Sequence, residues 1–269
     1  MFLRTTAQTP RRGYNQAVDE RAIYHAVLCA WLALSVVTFL VLLGRAAPYG
    51  RHGRAGWGPT IAPRWGWLLM EAPAALVIVM LAIPRLGAPG DAQIYLLLGL
   101  WELHYVNRAF IFPFRVRSKR PMPLTVVVMG MVFNGMNGWL NARGLTLFGP
   151  ELGRVAITHP RVLIGTALFL FGLALNWDAD ARLLRLPRTD GAYAIPRGGA
   201  YRYVSCPNYL GELVEWLGFT IASGSLGALS FFVWSAANLA PRALAHHRWY
   251  RETFPDYPKE RRALIPFVV

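Results

Sequence analysis

Seven stretches of about 20 apolar residues recur along this chain of 269, and a run of that length is what a helix needs to cross the hydrocarbon of a bilayer. They fall at about residues 23–44, 66–84, 92–113, 123–147, 161–177, 208–224 and 225–241. Backbone in lipid must satisfy its own hydrogen bonds, so such runs fold as helices or not at all. With 55% hydrophobic residues, 16% charged residues and a mean hydropathy of +0.32, the composition excludes an ordinary soluble domain. The expectation is an all-α integral membrane protein with seven transmembrane helices forming one domain over residues 1–269. Its last two spans join tightly at Ser223-Gly224-Ser225. The chain shows no internal repeat, low-complexity segment or soluble appendage. Residues Met1 to Glu20 are polar and the first apolar run begins only around Ala22, so no cleavable signal is expected.

A net charge of +14 invites a nucleic-acid reading, yet the cations are scattered through connecting segments and none forms a nucleic-acid motif. Topology accounts for them. With seven spans, Arg45, Arg51, Arg54, Arg64, then Arg115, Arg117, Lys119, Arg120, then Arg182, Arg185, Arg188, Arg197, Arg202, and last Arg242, Arg248, Arg251, Lys259, Arg261 and Arg262 share one side. These are 19 of the 28 Lys and Arg residues. An excess of Lys and Arg marks the cytoplasmic face, which puts the C-terminus in the cytosol and the N-terminus outside. The Arg- and Ala-rich composition points to a bacterial inner membrane, or to the endoplasmic reticulum in a eukaryote. Cys29 and Cys206 lie far apart without ligand spacing, so neither a disulfide framework nor a metal site is expected.

Ionisable residues inside such runs mark functional sites by default, because burying them unpaired costs several kcal/mol. Glu71 sits about two turns inside the second run with no basic residue at i±3 or i±4, so its partner must come from another helix or a ligand. An acid that keeps its proton there can donate a hydrogen bond to a carbonyl. Glu102, Tyr105 and Arg108 share a face at i, i+3 and i+6; the tyrosine is a candidate proton donor, or one of an interfacial aromatic belt. Asn134, Gly135, Asn137 and Gly138 read as close helix packing. Asn176 and Asp180, at i and i+4, suit hydroxyls or an amide, and the arginines after them suit phosphates. Asn208, Glu212 and Glu215 form a stripe at i, i+4 and i+7. Arg242, His246 and Tyr250 form another at i, i+4 and i+8, an anion-binding wall or a solvated face. No Gly-rich phosphate loop, His-Glu-x-x-His or Gly-x-Ser-x-Gly is present. A nucleotide would therefore be held by helices.

In Tyr201-Arg202-Tyr203-Val204-Ser205, Asn208, Leu210-Gly211-Glu212 and Glu215-Trp216, then Arg242-Ala243, His246-His247-Arg248 and Tyr250, and finally Asp256-Tyr257-Pro258-Lys259 through Arg261-Arg262-Ala263-Leu264-Ile265-Pro266-Phe267, the sequence resembles the steroid 5α-reductases. Earlier blocks agree: Tyr49-Gly50, Trp67 with Glu71, His104-Tyr105 with Arg108, Arg120-Pro121, Asn137-Gly138, Asn176 with Asp180, and Ile195-Pro196 with Gly198-Gly199. The resemblance implies a membrane enzyme that uses NADPH to reduce the double bond between carbons 4 and 5 of a 3-keto steroid. It implies that Glu71 and Tyr105 are catalytic, hydrogen-bonding the 3-ketone, and that Trp67 lines the steroid cavity. It also implies that Tyr49, Arg51, Asn176, Asp180, Asn208, Glu212, Arg242, His246 and Tyr250 hold NADPH, with Arg120 and Arg185 or Arg188 near its phosphates. No obligate protein partner is expected. The main alternative is an S-adenosylmethionine-dependent methyltransferase of the isoprenylcysteine type, partly mimicked by Cys206-Pro207-Asn208-Tyr209-Leu210-Gly211-Glu212. That family carries Arg-His before the proline, where this chain has Ser205-Cys206. A non-catalytic sterol binder is the third reading.

Overall fold

A computed structural model describes residues 11–45, 56–87, 91–116, 120–148, 155–186 and 193–268, with side chains from Asp19 onward. Tyr49, Arg51 and Arg188, expected to contact the cofactor, lie outside the described residues, as do Arg54, Arg117 and Lys119. The described residues contain seven long helices: α1 (Arg11–Gly44), α2 (Pro63–Ala82), α3 (Ala92–Tyr105), α4 (Leu124–Thr146), α5 (Pro160–Arg185), α6 (Pro207–Ser223) and α7 (Leu226–Thr253). A two-residue antiparallel ladder pairs β1 (Thr60–Ile61) with β2 (Met122–Pro123).

Three segments are long and apolar enough to cross a membrane by length and composition: Asp19–Gly44, Pro63–Arg85 and Pro160–Arg185. The other four carry the polar or broken stretches that lower their hydropathy. Helix α6 has only 17 residues. Helix α4 holds the buried amides Asn134, Asn137 and Asn141, and the last two turns of α7 are polar. Helix α3 passes into a π-helical stretch, Val106–Ile111, and ends in a short α turn, Phe112–Arg115. Pro113 has no N–H to continue the ladder there, and the Phe112 N–H reaches back five residues to the Asn107 carbonyl.

Two helix pairs position the site. Helices α2 and α4 run side by side from the ladder, with Gly138 against Val77 and Gly130 against Met70. Helices α5 and α6 are antiparallel and closer still, because Gly165 and Gly172 on one face Gly218 and Gly211 on the other, each at a seven-residue spacing. A Cβ added at Gly211 would lie 2.5 Å from Asn176 N and 2.7 Å from Gly172 O, so only glycine lets the backbones meet. Gly224, in the left-handed region at φ +64°, ends α6, and Ser225 caps α7 by accepting from Gly227 N at 3.2 Å. This is the tight junction anticipated between the last two runs.

The core is aromatic. Trp101, Trp216, Phe219 and Phe231 gather around one centre, with Trp101 lying 5.4 Å from both Trp216 and Phe231. Helix α1 leans on α7 and α4, Trp234 donating its indole N–H to Trp31 O at 2.8 Å. Its opposite face shows Val36, Val37, Leu40 and Val41, the surface expected against lipid. After α7 the chain returns to the segment before α6. Ser205 N donates to Arg262 O at 2.8 Å, Cys206 N to Ala263 O at 3.2 Å, and Arg262 N to Tyr203 O at 2.9 Å. The Ser205 hydroxyl sits 2.6 Å from both His247 Nδ1 and the Tyr257 hydroxyl.

Candidate active site

Pro73 interrupts α2. A proline within a helix frees the carbonyl four residues back and loosens the turn around it. In that turn the Asn134 amide, from α4, donates to Met70 O at 2.7 Å and to Glu71 Oε2 at 3.2 Å. The partner that α2 could not provide for Glu71 thus comes from α4, and a second comes from α3. Arg108 Nε stands 3.9 Å from Glu71 Oε1, with the two side chains only 19% and 13% exposed. The Arg108 guanidinium also lies 4.8 Å above the Trp67 ring and 4.9 Å above Phe112. Trp67 is therefore one wall of this site, and it touches the cation that faces Glu71.

Tyr105 is buried and donates to Asn134 Oδ1 at 3.5 Å. One amide therefore joins the two residues expected to hold a ketone. From Arg108 the network continues into the residues expected to hold the cofactor. Arg108 Nη1 is 3.7 Å from Asp180 Oδ2, Asn208 Nδ2 donates to Asp180 Oδ1 at 3.1 Å, and Asn176 Nδ2 donates to Asn208 O at 3.0 Å. Glu212, one turn beyond Asn208, has no hydrogen bond among the described residues and acts electrostatically on Arg108 and Glu71. Tyr105, Asn134, Glu71, Arg108, Asp180, Asn208 and Asn176 form one continuous polar chain across five helices.

Arg242 and His246 form a second group. Arg242 donates to Asn238 Oδ1 at 3.1 Å and lies 5.3 Å over the Tyr209 ring, while the Tyr209 hydroxyl meets His246 Nε2 at 3.2 Å. Tyr250 is turned into the fold and stacks on Tyr257 at 5.2 Å. Arg120 lies 5.4 Å over the Tyr193 ring. Of the arginines after Asp180, Arg182 is held by Asp178 at 2.7 Å. Arg185 instead lines a cleft of about 370 Å³ with Phe114, Arg115, Ala181 and Leu184. Neither Arg115 nor Arg185 has a carboxylate within ion-pair distance among the described residues. Two guanidiniums lining one cleft fit a phosphate. Among the described residues there is no cluster able to hold a metal.

Three participants were not assigned roles from sequence. The sequence pattern reads Asn134 as a packing residue, though an amide inside an apolar run is the available signal. Arg108 was placed on the face of Tyr105 and Glu102, but the π-helical stretch changes the direction of residues after Tyr105. Pro113 was the signal for that. Tyr209, between Arg242 and His246, had none.

A bundle of largely apolar helices, three of them long and apolar enough to cross a membrane, closes around a buried acid, phenol and guanidinium, an arrangement that fits a membrane-embedded enzyme. Residues 120–269 match the family described as 3-oxo-5-alpha-steroid 4-dehydrogenase. The chain is 37% identical to the steroid 5-alpha-reductase DET2 of Gossypium hirsutum over 93% of its own length and 99% of that protein. It is 35% identical to the DET2 protein of Arabidopsis thaliana (94% and 99% covered) and 38% identical to 3-oxo-5-alpha-steroid 4-dehydrogenase 1 of Bos taurus (93% and 98%). The chain belongs to this family and is an oxidoreductase.

Proposed function

We propose that the protein reduces the carbon 4 to carbon 5 double bond of a 3-keto steroid or a similar lipophilic enone, with NADPH as reductant. The observation that carries this reading is the continuous polar chain from Tyr105 to Asn176, which puts ketone-binding donors and cofactor-binding amides in one enclosure. Seven spans with the C-terminus in the cytosol set the arginine-lined end where NADPH is available. The membrane is a bacterial inner membrane or the endoplasmic reticulum.

The residues fit the cofactor. Asn176, Asp180, Asn208 and Glu212 offer the donors and acceptors that a carboxamide and ribose need, and Arg115 and Arg185 offer charge for phosphate. Arg120, Arg242 and His246 complete the holding set at that end, and Tyr250, turned into the fold against Tyr257, backs it. When bound, NADPH supplies the hydride that carbon 5 accepts. Glu71 and Tyr105 donate hydrogen bonds to the ketone oxygen, where negative charge develops, and so draw electrons from carbon 5. A proton passes from this pair to the oxygen as the hydride arrives, and the resulting enol returns it to the pair as carbon 4 takes up a proton from water and the ketone re-forms, so that one hydride and one proton are consumed per turnover. Arg108 and Asn134 hold Glu71 in place for this, and Trp67 walls the cavity.

The test is purified enzyme in detergent with a Δ4-3-keto steroid, following NADPH consumption and 5α product. Consumption matched by product is expected. No turnover across a range of enones, together with tight binding of S-adenosylmethionine, would sink the proposal.

A further inference from the structure

Deep in the bundle, one pair of ionisable groups has no part in the chemistry above. His104 Nδ1 on α3 meets Glu215 Oε1 on α6 at 2.8 Å, with side chains 6% and 0% exposed. The second carboxylate oxygen of Glu215 is buried with no hydrogen-bond partner among the described residues. A buried ion pair is a poor way to stabilise a fold, because desolvation offsets most of its attraction. Nor is it needed to join α3 to α6, which already meet through Trp101, Trp216 and Phe219.

What the pair does touch is Tyr105. The His104 ring stands edge-on to the Tyr105 ring at 4.9 Å. Trp216, the neighbour of Glu215, contacts His104 at 4.7 Å and Tyr105 at 5.9 Å, and Trp101 closes the other side at 4.9 Å. The tyrosine's hydroxyl meets the amides of α4, Asn134 at a long 3.5 Å and Asn137 beside it, and these hold the oxygen without fixing the tilt of the ring. The aim of the phenol is therefore set by the rings around it. Among these, only the imidazole is itself pinned by a charged group, since a carboxylate at Nδ1 fixes ring orientation and tautomer.

We infer that His104 and Glu215 are positioning residues that hold the Tyr105 hydroxyl on the line of proton donation to the substrate carbonyl. This rests on the proposed reductase activity. Glu215→Gln keeps the shape and an oxygen able to accept from the imidazole but removes the charge that pins it. The expected result is a kcat about tenfold or more lower, a part of what a positioned proton donor contributes, with steroid KM and NADPH affinity unchanged. Because proton delivery is then the slower event, the solvent deuterium isotope effect on kcat grows and the effect of 4-deuterated NADPH shrinks. His104→Phe gives the same signature, and the double variant is no worse than either single one.

Wild-type kcat and isotope effects in Glu215→Gln overturn the inference. So does a loss of kcat that travels with weaker NADPH binding and a lower melting temperature while the isotope effects stay put, the pattern of a mere structural tie. An inactive wild-type enzyme sinks the proposed function itself; an active one with an unimpaired Glu215→Gln sinks only the role of the pair.

Discussion

Gly211→Ala tests the closeness of α5 and α6, on which the proposed cofactor side of the site depends. The new Cβ would stand 2.5 Å from Asn176 N, 2.7 Å from Gly172 O and 3.0 Å from Asn176 Cα. All three are backbone atoms, so no rotamer change relieves the clash. Ordinary contact begins near 3.4 Å, and the helices must therefore part by roughly 0.9 Å. The Asn176 to Asn208 hydrogen bond, now 3.0 Å, would open to about 3.9 Å and be lost. Overpacking costs about 1–3 kcal/mol and the lost bond about 1 kcal/mol. The better helix propensity of alanine returns at most about 1 kcal/mol. A net destabilisation of about 2 kcal/mol lowers Tm by about 4–8 °C in a chain of this size. Gly99→Ala is the matched control, since a Cβ there meets nothing within 4 Å; its Tm should hold or rise slightly. Thermal unfolding in detergent reads both, and NADPH titration of Gly211→Ala should show weaker binding. An unchanged Tm in Gly211→Ala refutes the packing argument, and a lowered Tm with unaltered NADPH affinity refutes its link to the cofactor wall.

Glu71→Gln and Tyr105→Phe should each cut kcat by about 10²–10³, the usual loss on removing one donor to a developing oxyanion, while NADPH titration stays normal. Loss of cofactor binding with turnover preserved at high NADPH would refute these roles. Arg115→Gln and Arg185→Gln should each raise the Kd for NADPH and make it less sensitive to salt, with kcat at saturation unchanged; equal affinity in isothermal titration would remove phosphate from this cleft. His247 titrates below its ordinary range because it is partly buried and faces Arg251 and Arg262. The unfolded chain thus takes up this proton first, and stability should fall as pH drops below about 6.5. A His247→Asn variant should lose that part of the Tm slope between pH 8 and pH 5.5, and an identical slope in both proteins refutes it.

Much of the site was legible because lipid makes polar residues conspicuous. Glu71, Asn208 and Glu212 each stand out against apolar neighbours, while Asp180 stands out by its four-residue spacing from Asn176 at the end of an apolar run. The need for Glu71 to find a partner on another helix followed from the empty positions three and four residues away. What spacing does not carry is which helices touch. Asn134 and Met70 are brought together by the α2 and α4 pairing, a tertiary fact with no local signature. Glu215 was visible as the deepest of its stripe, but its meeting with His104 depends on α3 lying beside α6. The direction of Arg108 was obscured by the change of helical pitch after Tyr105, which a uniform 3.6-residue reading cannot follow. Among the described residues there are seven long helices for the seven apolar runs, and three of them reach the length and hydropathy of an unaided span.

The ladder between β1 and β2 has a mechanical consequence. It ties the starting ends of two helices that run the same way, Leu124 N bonding to Pro59 O at 2.8 Å. Glu71 then lies about 12 Å along α2 and Asn134 about 15 Å along α4, at 1.5 Å per residue. Acid and amide sit like marks on two tines of one fork. When the bilayer thickens, thins or tilts the bundle, both marks travel together, and the gap between them is insulated from the displacement.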